Sequence, residues 1–544
     1  MPDLSDFATA MDAVLDRRTS ADDLAVVARC HPELRDLVAK HPHASPELVA
    51  WMASLGQPQV LTTADAARVR AGRFAQAWVT VLAVVIVVGV LGAGSYILVQ
   101  HSNPSPDQAL GSGLPQMALA SGTAPTGAPT TPVQPLADPW TKLLGGTFED
   151  RFFSATVVAD GGIVAVGQFD STDGDFGAKV GQTPGSAAVG LSADGAVSWF
   201  TMVPGDPGGT LTDVAATPDG HVVTTGENVV AELDASGAVV WSQPLDHATS
   251  NQTTGQHITV GPDGTVYISG QTTSTLGPLA PAIDTNTGDA FVAAYTKAGA
   301  LSWSIVLGGH GGSQSVGLTV GPDGDIYAAV RSFSTDGNLP SGTSAQEVLA
   351  LARLSSSGAL LSATRLAEGG SISCNDLTTS LDGDLLMAGD AKASTGAVTT
   401  AHVGSLDATV TKLTLAGQVV WSTAVGGSGT DGFQRLAVAP DGSIDAVGST
   451  TSTDGDAPMN GAPGNGVTDV MVASLSPDGT LRWAHSYGGS GQESGFGVAV
   501  AADGGVVAVG SAASTDGDLP AVRAQGSDEA LIMRLSASGS AATR

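Results

Sequence analysis

Residues 77–99 form a run of 23 positions without a formal charge. At about 1.5 Å rise per residue, such a helix is about 34 Å long and crosses a hydrocarbon core of about 30 Å. Further along, the apolar pattern shortens into runs of strand length. In the stretch 433–488, Arg435-Leu436-Ala437-Val438 predicts a strand, Pro440-Asp441-Gly442 a tight turn and Ile444-Asp445-Ala446-Val447 a second strand. A polar loop follows, then an apolar run at 470–475, Asp478-Gly479 and a fourth run at 481–487. Asp-Gly between apolar runs marks a hairpin, because both residues tolerate positive φ. Two hairpins per unit predict a four-stranded antiparallel blade. The first turn recurs at Asp160, Asp219, Asp263, Asp323, Asp382, Asp441 and Asp503, each followed by Gly, which predicts seven blades.

A second periodicity agrees. Trp follows Gly by four residues at Trp199, Trp241, Trp303, Trp421 and Trp483, and Ser362 holds the same register after Gly358. Trp140 opens the series, and the successive intervals are 59, 42, 62, 59, 59 and 62 residues. A period of this size means a stacked or circular array. Trp140 matches a fourth strand, whereas the chain's last apolar run matches a third. Pairing the two closes the ring and hides both edges. The six Trp side chains are expected to pack between blades. The expected fold is therefore an all-β seven-bladed β-propeller over 139–544, with a small all-α N-terminal domain (1–75) and one transmembrane helix (77–99).

Charge orients the chain. Arg68, Arg70 and Arg73 precede the apolar run, and the first Lys or Arg after it is Lys142. The positive-inside rule keeps the N-terminus cytoplasmic and exports the propeller. Residues 101–138 are rich in Pro, Ser, Thr, Gly and Ala and read as a linker. In the head, Ser20 and Ser45 precede helix-start patterns, the second with Pro46 at the first helical position.

The net charge of −30 is uneven: residues 1–75 carry 10 acids and 8 bases, whereas 101–544 carry 42 and 14. The large domain thus holds −28, which repels nucleic acid and anionic lipid and leaves neither expected as its partner. The two cysteines, Cys30 and Cys374, fall on opposite sides of the membrane and cannot pair within one chain. Cys374 is expected to be a buried small hydrophobe.

In the head, Asp23-Leu24-Ala25-Val26-Val27-Ala28, His31-Pro32-Glu33-Leu34 and His41-Pro42 resemble the variant leucine-rich repeat domain of actinobacterial proteins. That resemblance implies a helical docking module for a cytoplasmic protein partner. In the propeller, Trp421-Ser422-Thr423-Ala424-Val425-Gly426-Gly427-Ser428-Gly429-Thr430-Asp431, Gly448-Ser449-Thr450-Thr451-Ser452 and Asp469-Val470-Met471-Val472 resemble the bacterial β-propeller repeat called SBBP. It implies an exported propeller used in adhesion or ligand binding. Asp478-Gly479 before Trp483 and Gly488-Gly489 is also similar to the Trp-docking motif of quinoprotein-like propellers.

Four loops share a motif: Ser171-Thr172-Asp173-Gly174-Asp175, Ser334-Thr335-Asp336-Gly337-Asn338, Ser452-Thr453-Asp454-Gly455-Asp456 and Ser514-Thr515-Asp516-Gly517-Asp518. Strand order places them on one face, the top, opposite the Asp-Gly turns. Asp173, Asp175, Asp336, Asp454, Asp456, Asp516 and Asp518 are candidate Ca²⁺ ligands, since hard cations take oxygen. The competing reading is a turn reused by duplication, because the spacing is not that of an EF-hand. No other cofactor is indicated. No nucleophile elbow or His-Glu-x-x-His motif stands out among the histidines. The sequence thus predicts a membrane-anchored, cell-surface binding or scaffold protein that meets a protein or glycan ligand at its top face. An exported enzyme, glycan-active or quinoprotein-like, is the alternative. Convergent acids with a shifted carboxyl pKa would favour that alternative.

Overall fold

The computed structural model describes Val38 and residues 138–541, apart from 177–184, 204–208, 247–252, 342–345, 371, 393–403, 460–467, 515 and 520–527. Val38 has helical backbone and is buried. The rest of the expected helical head, the apolar run 77–99 and the linker lie outside the described residues. Among those described, no helix is long and apolar enough to cross a membrane.

The described part of residues 138–541 is all β, and its strands form seven four-stranded sheets. The chain enters through β1 (Trp140–Leu144). Blade 1 is β2 (Asp150–Val157), β3 (Ile163–Phe169), β4 (Gly185–Leu191) and β5 (Val197–Met202). Blade 2 is β6 (Leu211–Ala216), β7 (Val222–Gly226), β8 (Val229–Leu233) and β9 (Val239–Pro244). Blade 3 is β10 (Thr253–Val260), β11 (Val266–Thr272), β12 (Asp289–Tyr295) and β13 (Leu301–Leu307). Blade 4 is β14 (Ser313–Val320), β15 (Ile326–Ser332), β16 (Val348–Leu354) and β17 (Leu360–Glu368). Blade 5 is β18 (Asp376–Thr379), β19 (Leu385–Ala391), β20 (Asp407–Leu413) and β21 (Val419–Val425). Blade 6 is β22 (Asp431–Val438), β23 (Ile444–Thr450), β24 (Asp469–Leu475) and β25 (Leu481–Tyr487). Blade 7 is β26 (Glu493–Val500), β27 (Val506–Ala512) and β28 (Glu529–Leu535), completed by β1.

Burial follows the radial order. The third strands, such as β12 and β24, are buried along their whole length, whereas outer strands such as β5 are not. The core lies between blades: one cluster joins Ile163, Ala187 and Val189 of blade 1 to Val507, Val509 and Ile532 of blade 7. Pairing of Trp140 with Arg534 through Leu144 with Ala530 makes β1 the outer strand of the last blade. The inner strands contact their neighbours around the circle, and β2 meets β26.

The 42-residue interval has a local cause. In blade 2, β7 and β8 are joined by a tight hairpin at Glu227-Asn228, with Asn228 at φ 52°. Asn tolerates this left-handed conformation better than most residues. The long polar loop of the other blades is missing there.

One irregularity positions the site. Inner strands carry a β-bulge at one register, between Phe152 and Ser154, Leu211 and Asp213, Gly255 and His257, Ser315 and Gly317, Phe433 and Arg435, and Gly495 and Gly497. In blade 5, β18 begins at Asp376, just past the same register. A bulge adds one residue and re-aims side chains next to it.

Candidate binding site on the propeller axis

Counting back six residues from the Asp of each first turn gives Ser154, Asp213, His257, Gly317, Asp376, Arg435 and Gly497. Their strands surround the axis, so these positions form one ring. Arg435 reaches across it. Its Nη1 donates to Nδ1 of His257 at 2.8 Å, to Oδ2 of Asp213 at 3.3 Å and to Oδ1 of Asp376 at 3.4 Å. Its Nη2 donates to the carbonyl of Gln256 at 3.1 Å. Blade 6 is thereby tied to blades 2, 3 and 5.

The carboxylates are held from their other sides as well. Asp213 accepts from the Ser154 hydroxyl at 2.7 Å and from the backbone of Val214 and Ile258. Oδ2 of Asp376 accepts from the Leu436 amide at 3.0 Å. Burial pushes the Asp376 carboxyl up, with Arg435 pulling the other way. Burial opposes the Arg435 charge, yet Asp213 and Asp376 raise its pKa. Burial, and then Arg435, hold His257 well below its usual range. Because a guanidinium only donates, Nδ1 of His257 is an acceptor and the ring is neutral.

The tie divides the axial channel. Below it, towards the Asp-Gly turns, lies a polar chamber of about 410 Å³ whose walls include Thr156, Thr259 and Thr378. Above it lies a chamber of about 260 Å³. The residue preceding each ring position lines this upper chamber: Phe153, Thr212, Gln256 and Val316, then Asn375, Gln434 and Phe496. Arg435 and His257 line both chambers and so form the partition. Phe153 and Phe496 touch, ring centroids 5.3 Å apart. They come from blades 1 and 7, so the aromatic wall crosses the seam where the ring closes.

The loops read as candidate Ca²⁺ ligands occupy the top, as strand order predicts, but in separate blades. Asp173 accepts from the Thr147 amide at 2.8 Å, Asp336 from His310 at 2.7 Å, Asp454 from Ser428 at 2.7 Å and Asp516 from Ser490 at 2.7 Å. Two residues on, Asp175, Asn338, Asp456 and Asp518 accept from the amides of Gly145, Gly308, Gly426 and Gly488. Each motif latches the Gly-Gly loop that enters its blade. Among the described residues the carboxylates and imidazole that approach as a possible ligand set are Asp219, His221 and Glu232, not these loops.

That trio has a structural explanation. Glu232 stands opposite Trp241, where other blades place Arg353, Lys412 and Arg534. Those bases pair with turn acids: Arg353 with Asp325, Lys412 with Asp382, and Arg534 with Asp503. In blade 2 the polarity is reversed, with His221 on the turn bonded to Glu232 at 2.5 Å. Trp241 Nε1 holds the other Glu232 oxygen, and Lys297 pairs with Asp219 at 2.8 Å.

Each Trp of the repeat docks on the next blade. The space a Cβ would take at Gly195, Gly237, Gly299, Gly358, Gly479 and Gly539 is filled by Trp140, Trp199, Trp241, Trp303, Trp421 and Trp483. Nε1 of Trp140, Trp303 and Trp483 donates to the carbonyl two residues before the receiving glycine. Where Ser362 replaces Trp, Leu366 covers Gly417 instead. Cys374 is buried with a free thiol that burial pushes up.

Residues 9–68 match the Leucine Rich Repeat Variant domain family, which bears out the variant leucine-rich repeat resemblance. No curated protein matches the chain in sequence. Among solved structures, puromycin hydrolase is 16% identical, over 70% of this chain and 54% of that one, with a TM-score of 0.40. A protein of unknown function from Bacteroides caccae is 13% identical, over 64% of this chain and 94% of that one, with a TM-score of 0.35. A gluconolactonase from Xanthomonas campestris is 14% identical, over 57% of this chain and 87% of that one, with a TM-score of 0.32. These likenesses are of fold alone.

Proposed function

We propose that the chain is a membrane-anchored surface binding protein whose propeller takes a small ligand, or the tip of a larger one, into the upper axial chamber. The carrying observation is the Arg435 tie, which stands between an upper axial chamber on the loop face and a lower one. The charge-free run 77–99 and the Arg residues before it support an anchor with the propeller outside. The SBBP-like repeat pattern supports a role in adhesion or recognition. The variant leucine-rich repeat match supports a docking partner for the head.

The alternative of an exported enzyme draws on one observation: Asp213 and Asp376 converge on the axis, and burial raises the Asp376 pKa. General acid–base work needs a carboxyl within reach of substrate. Here the oxygens of both are already held by Arg435, Ser154 and backbone amides. Ser154 donates to Asp213, not to His257, so the hydroxyl–imidazole order of a nucleophilic triad is missing. Binding is therefore the better reading.

The test is a glycan and protein binding screen with the detergent-solubilised full chain, with and without Ca²⁺. Phe153→Ala should weaken the hit by about tenfold or more, the loss of one buried aromatic contact worth about 1.5 kcal/mol. An unchanged affinity contradicts the axial site. A hit that requires Ca²⁺ and is lost on Asp454→Asn moves the site to the acidic loops.

A further inference from the structure

We propose that the upper chamber selects an uncharged, polyhydroxylated ligand, a sugar ring of a neutral glycan. This rests on the binding reading above and adds the chemical class. The walls differ in chemistry. On the seam side stand Phe153 and Phe496, half-buried phenyl faces tilted by 32° to each other. A phenyl face is electron-rich and meets the C–H side of a pyranose, which is apolar and slightly positive. Elsewhere around the wall stand the amides of Gln256, Asn375 and Gln434. An amide offers both a donor and an acceptor, as a hydroxyl does.

Gln256 supplies the observation that points to a ligand. Its Oε1 is buried in this wall with no hydrogen-bond partner. A buried unsatisfied acceptor costs about 1–3 kcal/mol; this oxygen has almost no exposed surface, so an incoming hydroxyl relieves the cost by drawing the Gln256 amide round into the chamber. Asn375 donates its Nδ2 to the Phe433 carbonyl at 2.9 Å, which fixes the orientation of its amide.

Charge weighs against the other classes. Arg435 forms the floor and Arg331 lies in the wall, so a cationic group meets two guanidinium charges. Both are engaged by protein acceptors, Arg331 with Gln314 at 2.7 Å and Arg435 with the axial ring. Arg435 presents no open fork for a carboxylate or phosphate, and the surplus of acids over residues 101–544 repels polyanions. The volume of about 260 Å³ lies just below the usual range of roughly 300–1,000 Å³ for small-molecule pockets. It suits a terminal monosaccharide or disaccharide rather than a folded surface.

The experiment is saturation-transfer NMR and calorimetry on the detergent-solubilised full chain. The probes are a panel of neutral methyl glycosides and disaccharides, with methyl glucuronide and an oligolysine peptide as comparators. The expected result is transfer to the ring C–H protons of at least one neutral sugar and none to either comparator. Gln256→Leu and Phe496→Leu, both close in volume to the parent, should each weaken that sugar by about tenfold with the unfolding midpoint preserved. Three results overturn the proposal: no neutral sugar binds; a comparator binds instead; or a sugar binds with unchanged affinity in both variants. A comparator lost on Phe496→Leu leaves the site standing and refutes only the ligand class. Binding of any probe that ignores both variants refutes the axial site itself.

Discussion

At the scale of single residues, the buried charges of the propeller differ in how well they are tied down. The axial ring shows the satisfied case. Removing one partner of such a buried ion pair commonly costs about 3–5 kcal/mol, although the intact pair adds little net stability. Asp445 shows a less satisfied case. It lies on β23, almost wholly buried, and burial raises its pKa to about 6 from an ordinary 3.8. Between those values the folded chain keeps a proton that the unfolded chain releases. Stability therefore falls as pH climbs from about 4 to about 6 and levels off above. A shift of about two units corresponds to about 3 kcal/mol. Asp445→Asn should accordingly gain up to about that much at pH 7 and almost nothing at pH 4, read by chemical denaturation at both. An equal difference at the two pH values contradicts the account.

Residues were the least legible scale in the sequence. No motif marks His257, which is buried on the axis. The charged residues that complete the ring, Asp213, Asp376 and Arg435, come from strands separated by up to 222 positions, a distance no local motif spans. A signal existed: aligning the seven Asp-Gly turns puts charged residues in one column of strands that otherwise read as apolar or small. That column is visible only once the ring is assumed.

At the scale of elements, turn chemistry carried most of the prediction. Asp-Gly hairpins located the blades because their geometry is local. The bulges were not legible, since a bulge depends on a partner strand and leaves the apolar pattern almost intact. The four acidic loops were legible as a repeat, but the pattern does not reveal whether oxygens face a cation or an amide. The structure gives them amides of the Gly-Gly loops.

Glycine separates local geometry from packing. Gly324 and Gly358 belong to the two hairpin turns of blade 4 and have similar φ, 79° and 85°. A Cβ at Gly324 meets nothing within 4 Å, whereas one at Gly358 falls 2.5 Å from the Trp303 ring. Gly324→Ala should cost only the left-handed backbone penalty of about 1–2 kcal/mol. Gly358→Ala should add about 1–3 kcal/mol of overpacking. Denaturant midpoints of the two variants measure the difference. Equal losses would mean that the Trp–Gly contact between blades is slack.

At the scale of the whole molecule, closure creates the candidate site. The series of Trp positions implied that the first strand of the propeller completes the last blade, and β1 pairs with β28 in register. The same seam brings β2 beside β26 and puts Phe153 against Phe496. An open ring would leave β28 with an unpaired edge and split the aromatic wall.

Hydrogen exchange across residues 140–144 of the full chain tests that closure most directly. The closed ring predicts protection of the β1 amides that face β28, comparable to that of residues 530–534. Exchange of the whole segment at the rate of free chain would mean that the circle is open and the upper chamber unformed.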